Sequence, residues 1–277
     1  AGPSSALGAG GVAGAAAGPD PYLWLESIPG ARALSWVKEE DEVTLEALES
    51  DARYRRYDQT LLTLYNASDR IPYGELDDGY VYNFCQDEAH PRGLWRRTPV
   101  ASYATPHPAW EVLIDLDRLD RQERKTWVWK GAECDREHDR CLIQLSPDGG
   151  DSFQVREFDL ASHSFVKDGF FLPTAKSAAD WVDRDTIIFG TDFGPGSMTD
   201  SSYPRIVRIW RRGQRIGDAR TVFQGVHSDL AVSGATFSGP RGTTVLVEHT
   251  LSFFSTEYYD LLPDGRLVKL PLPLGAE

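Results

Sequence analysis

The chain has 277 residues, enough for one large or two small domains, and its 41% hydrophobic and 26% charged residues are those of a globular protein with a sizeable core. A formal net charge of −13 excludes nucleic-acid binding by a general electrostatic route, which needs clustered cations. No apolar run reaches the length of a membrane span, so neither nucleic acid nor membrane is expected as a partner.

Residues 1–19 are Ala/Gly-rich, with no basic n-region and no h-region of large apolar residues, and read as a flexible tail rather than a signal peptide. Residues 20–68 read as a helical segment. It opens on Asp20-Pro-Tyr-Leu-Trp-Leu-Glu26, after which Leu34, Val37, Leu45 and Leu48 share one helical face. Tyr54, Tyr57, Leu61 and Leu64 mark a second helix ending near Asn66, and the acidic run at residues 39–42 reads as a solvated face.

Past Ile71-Pro72 the period changes to two. Strands are predicted over 80–85, 94–97, 110–115, 127–129, 142–145, 153–158, 186–190, 205–210, 221–223, 243–248, 257–261 and 267–270. Between them recur turn formers: Asp77-Asp78-Gly79, Ser146-Pro-Asp-Gly-Gly150, Arg212-Gly213 and Pro263-Asp264-Gly265. Comparable leading strands near residues 80, 142, 186 and 244 lie roughly 40 to 60 residues apart, the period of propeller blades. The expected fold is therefore mainly β, a partial β-propeller of about four blades over residues 69–277, preceded by two amphipathic helices. The final Pro271-Leu-Pro-Leu-Gly-Ala-Glu277 offers no strand to close a ring, so the propeller is expected to be incomplete.

No motif announces chemistry. Neither Ser197 nor Ser238 sits in a G-x-S-x-G elbow, and the histidines at 90, 107, 138, 163, 227 and 249 are scattered. Cys134 and Cys141, with His138 between them, read as an ordinary loop with two thiols; a disulfide and a metal site are the other readings. Asp115-Leu-Asp117-Arg-Leu-Asp120 resembles half an EF-hand loop with Leu119 at a ligand position, and reads instead as a strand end running into a polar turn. Ser146-Pro-Asp148-Gly-Gly150-Asp-Ser152-Phe153 fits the Asp-box hairpin of sialidase propellers, and Arg70-Ile71-Pro72 resembles their arginine motif. That box occurs once, and Asp148 reads as a turn former. No catalytic, cofactor-binding or metal residue is assigned, and no cofactor is expected.

Taken together the chain resembles the N-terminal part of prolyl oligopeptidase-type serine peptidases. The resemblance is carried by Asp20-Pro-Tyr-Leu-Trp-Leu-Glu26, Leu34-Ser-Trp-Val37, Tyr82-Asn-Phe-Cys-Gln-Asp87, His90-Pro-Arg-Gly-Leu-Trp-Arg-Arg97, Trp110-Glu-Val-Leu-Ile-Asp115, Val155-Arg-Glu-Phe-Asp159 and Asp185-Thr-Ile-Ile-Phe-Gly-Thr-Asp192, in the family's order. It implies a seven-bladed propeller capping an α/β-hydrolase domain that carries Ser, Asp and His, with the N-terminal helices packed on the hydrolase. The expected partners are that C-terminal hydrolase domain of the same full-length chain and short peptide substrates, which the propeller admits by sterics. This chain alone is expected to be inactive, and the compartment is expected to be cytoplasmic, with the periplasm second. The competing readings are a stand-alone propeller that binds proteins and a sialidase-like propeller; a free-standing module leaves the apolar stripes of the two helices with nothing to cover.

Overall fold

The structure, a computed structural model, describes residues 20–27, 29–67, 73–135, 139–239 and 242–275. The chain divides into two units, residues 1–67 and 68–277. In the first, Asp20 accepts the backbone N–H of Tyr22 at 2.8 Å and opens a 3-10 turn, Leu23–Glu26. Trp24 meets Trp36 edge to face at 6.2 Å and stacks under the Arg32 guanidinium at 4.0 Å, tying the turn to helix α1 (Ala31–Glu49). Asp51 then caps helix α2 (Ala52–Tyr65) by accepting the N–H of Arg53 at 2.8 Å. Both expected helices are present. Leu34, Val37, Leu45 and Leu48 of α1 and Leu61 and Leu64 of α2 are nevertheless exposed.

The described strands of the second unit form four antiparallel sheets. The first runs β1 (Glu75–Asp77), β2 (Tyr80–Cys85), β3 (Leu94–Pro99), β4 (Glu111–Asp115). The second runs β5 (Val128–Asp135), β6 (Arg140–Ser146), β7 (Phe153–Asp159), β8 (Ser164–Phe165), and β9 (Phe171–Ala175) also pairs with β7. The third runs β10 (Ala178–Asp183), β11 (Thr186–Gly190), β12 (Ile206–Arg211), β13 (Arg220–Gln224), and the fourth β14 (Ala231–Gly239), β15 (Gly242–Ser252), β16 (Ser255–Leu261), β17 (Leu267–Lys269). Each sheet is a meander, and the first strands of successive sheets approach one another, β5 to β10 and β10 to β14. These are propeller blades, with the first strand of each innermost. The fold class expected from the sequence is the one observed.

One feature of the expected blades is corrected. The strands near 80, 142, 186 and 244 are the second strands of their blades, β2, β6, β11 and β15. The true first strands β1, β10 and β14 carry no prediction, and β5 was expected only over its start. A meander of four strands returns the chain to the face where it began. That face, called upper here, carries the loops between second and third strands: residues 86–93, 147–152, 191–205 and 253–254.

Blades adhere through apolar faces and a few buried polar links. Between the first two, Phe84 stacks on Trp129 at 5.4 Å and Trp95 packs on both Trp129 and Phe158. Between the second and third, the buried Glu157 carboxylate takes a two-pronged hydrogen bond from Arg212, at 2.9 and 3.0 Å, and a third from the N–H of Phe170 at 2.8 Å. Between the third and fourth, Ile188 lies against Gly234, where an added Cβ would come within 2.3 Å of Ile188 Cγ1. Only glycine permits that approach.

Two local expectations are also corrected. After Asp115 the chain forms a helix, α3 being Val100–Tyr103 and α4 Leu116–Glu123, and Asp115 caps α4 by accepting the N–H of Arg118 at 2.8 Å. Asp120 accepts the N–H of Trp127, and Asp117 accepts that of Arg92, so the acidic run anchors the chain between blades in place of a polar turn. Its apolar positions Leu116 and Leu119 are buried, which a polar-turn reading leaves out. Cys134 and Cys141 are directly opposite one another across β5 and β6 and are joined in a disulfide, so they are not two thiols in a loop.

Candidate functional site

The first strands of the blades form their inner wall. They mix polar and charged residues with packed apolar ones. β1 contributes Glu75, β5 contributes Lys130 and Glu133, and β10 contributes Asp180. A cavity of about 650 Å³ between β1 and β5 is lined by Tyr73, Glu75, Asp77, Trp129, Lys130 and Glu133 among others. Its volume is that of a small-ligand or peptide-segment site.

Charges on this wall act on one another. Glu133 is exposed toward the cavity, and its carboxyl is pushed up to about 7, first by partial loss of solvent around it, then by the negative charges of Asp180 and Glu75. Asp180 accepts two hydrogen bonds from Thr236 of β14, from its N–H at 2.7 Å and its hydroxyl at 2.9 Å. The indole N–H of Trp181 donates to the Glu133 carbonyl at 2.9 Å. Hydrogen bonds thus link the wall across three blades, and Glu75 and Glu133 line the same cavity. Such a surface can take up a cationic group and holds one carboxyl that gains or loses a proton near neutrality.

The residues singled out in the sequence are dispersed. Asp148 tips the turn between β6 and β7, where its carboxylate accepts the Gly150 N–H at 2.9 Å and the Ser146 hydroxyl at 3.1 Å. Those two bonds, the backbone one larger, hold it below the usual aspartate range. It is a turn former, as read. His90 pairs with Asp87 at 3.0 Å, His163 with Glu111 at 3.1 Å, and His249 with Asp229 at 2.8 Å; Ser197 bonds to Asp192 at 3.0 Å. Arg70, Ile71, Pro72 and His138 lie outside the described residues, as do residues 1–19. The inner-wall acids Glu75, Glu133 and Asp180 drew no attention in the sequence; the signal available was an acidic residue on three consecutive first strands, visible only once those strands are placed.

Comparison with known proteins places this architecture. Residues 14–259 match the family model described as prolyl oligopeptidase, N-terminal beta-propeller domain. An uncharacterized peptidase of Sinorhizobium fredii is 39% identical over 264 residues, covering 93% of this chain and 36% of its own length. A second uncharacterized peptidase, of Rickettsia prowazekii, is 37% identical over 267 residues, again 36% of its length. The chain thus spans about a third of the curated relatives it matches. Among solved structures, a post-proline cleaving enzyme from Rickettsia typhi superposes with a TM-score of 0.82 at 32% identity, over 91% of this chain and 38% of that one. Oligopeptidase B from Leishmania major shares the fold at 15% identity and a TM-score of 0.67.

Proposed function

We propose that this chain, which belongs to the prolyl oligopeptidase N-terminal β-propeller family, serves as the non-catalytic part of a full-length serine peptidase and limits which molecules reach a hydrolase domain in the same polypeptide. The observation that carries the reading is a partial propeller, matched across nearly its whole length to about a third of longer peptidases. The exposed stripes of α1 and α2 support it, since apolar helix faces seal against another surface, here the hydrolase domain. A serine nucleophile shielded beneath a propeller is out of reach of folded proteins and open to short, flexible peptides. The acidic inner wall favours peptides with a free amino terminus or basic side chains.

The test is a paired assay of the purified chain and its full-length parent on a proline-containing chromogenic peptide. Turnover by the parent and none by the chain is expected; serine-hydrolase turnover by the chain itself overturns the reading. For the compartment, the Cys134–Cys141 bond favours the periplasm over the cytoplasm. Thiol titration after denaturation should count one reactive sulfhydryl, and a count of three returns the protein to a reducing compartment.

A further inference from the structure

The upper-face loops between second and third strands share one chemistry in three blades and break it in the fourth. Residues 86–93 read QDEAHPRG, 147–152 read PDGGDS, and 191–205 are rich in Asp, Gly and Ser. Between β15 and β16 the corner is Phe253-Phe254, with the two rings 84% and 88% exposed. A two-residue hairpin corner faces water and ordinarily carries polar residues or Gly. Two phenylalanines violate that rule and give up apolar burial as well, and a local rule broken without compensation marks a functional position. The segment after β17 adds to the patch: Leu274 accepts the N–H of Thr256 at 2.8 Å, beside the corner, and Leu272 and Leu274 are half exposed.

We propose that Phe253 and Phe254 form an anchor that inserts into an apolar pocket on the C-terminal part of the full-length peptidase, fixing the propeller against the domain it covers. The proposal rests on the function proposed above. Its occupant follows from topology. A propeller of whole four-stranded blades takes the chain in and releases it at the same face, so the polypeptide that follows the complete propeller in the longer relatives departs from the face that carries this corner. Exposed aromatic pairs suit this role: they bring large contact area with few torsions to freeze.

The experiment uses the full-length parent and its Phe253→Ser/Phe254→Ser variant, with Asp148→Ala, at a polar corner of the same face, as control. Small-angle scattering and hydrogen exchange read the closure of the propeller on the C-terminal part, and a short peptide and a folded protein bearing the same cleavage sequence read access. The variant is expected to expand, to lose exchange protection around the corner, and to cleave the folded substrate at least tenfold faster relative to the peptide, with the control unchanged. A variant as compact and as selective as wild type overturns the anchor. Concentration-dependent dimerisation of the wild-type parent that the variant abolishes assigns the corner to a second copy and equally overturns it, as does binding to neutral phospholipid vesicles lost in the variant. A full-length parent inactive on the peptide indicts the peptidase reading instead. Circular dichroism of the variant, unchanged from wild type, separates lost docking from lost folding.

Discussion

The first and second strands of the blades are built to opposite specifications. β11, Thr186–Gly190, is buried at every residue, and β6 keeps Cys141, Leu142, Ile143 and Leu145 fully inside. Beside them β10 alternates Ala179 and Trp181 with Asp180, and β14 carries Gly234 and Thr236. The second strand is pressed between two blades and between two strands, so its stability is apolar burial. The first strand has a channel on its free edge, so small and charged residues such as Gly234, Thr236 and Asp180 alternate with packed ones such as Trp181 and Val232, and Asp180 is held by hydrogen bonds to the next blade. The propeller thus puts its cohesion one strand outward from its inner wall.

The contrast can be broken by mutation. The largest effect is expected at the outer link between blades: Glu157→Ala removes a buried carboxylate, leaves the Phe170 N–H without its acceptor and Arg212 with only Asp185 and the Arg184 carbonyl, and should cost about 3 kcal/mol. Denaturant unfolding of the purified chain reads this; a loss under ~1 kcal/mol would show that water replaces the carboxylate. Ile188→Ala, in the second strand of the third blade, should cost about 2–5 kcal/mol by opening a cavity. Gly234→Ala, its first-strand neighbour, should cost about 1–3 kcal/mol through overpacking. The two should be non-additive, because removing the Ile188 branches makes room for the new Cβ, and additivity within ~0.5 kcal/mol would separate the strands energetically.

The smallest effect belongs to the inner wall and depends on pH. Glu133 titrates near 4.5 when unfolded and near 7 when folded, so between these values the folded chain holds a proton that the unfolded chain has released. Stability contributed by the neutral carboxyl is therefore lost as pH rises from about 4.5 to about 7, and the full penalty is present above. Glu133→Gln should raise the melting temperature at pH 8, leave it unchanged at pH 4, and flatten the slope between. An unchanged slope in the variant would place the charge pressure elsewhere on the wall.

How much of this was legible follows the same division. The second strands stand out in the sequence because continuous burial gives them apolar runs such as Ile187-Ile188-Phe189, and the helices because α1 and α2 are amphipathic. The first strands were missed because Glu75-Leu-Asp77 and Val232-Ser-Gly-Ala-Thr236 have neither period nor apolar content; what makes them strands is pairing to the neighbour already formed. The blade count survived that error, since every blade still offered one visible strand. The candidate site did not, since it lies on the strands that were invisible. The Cys134–Cys141 disulfide was one of three readings of that loop, and the register of β5 on β6, which sets the two residues opposite one another, decides it.

The gate itself is tested most directly in the full-length parent by measuring kcat/KM for one cleavage sequence presented in a short peptide, in a long unfolded chain and in a surface loop of a folded protein. The account predicts a steep fall from the first to the second and no cleavage of the third. Comparable rates for all three would contradict it.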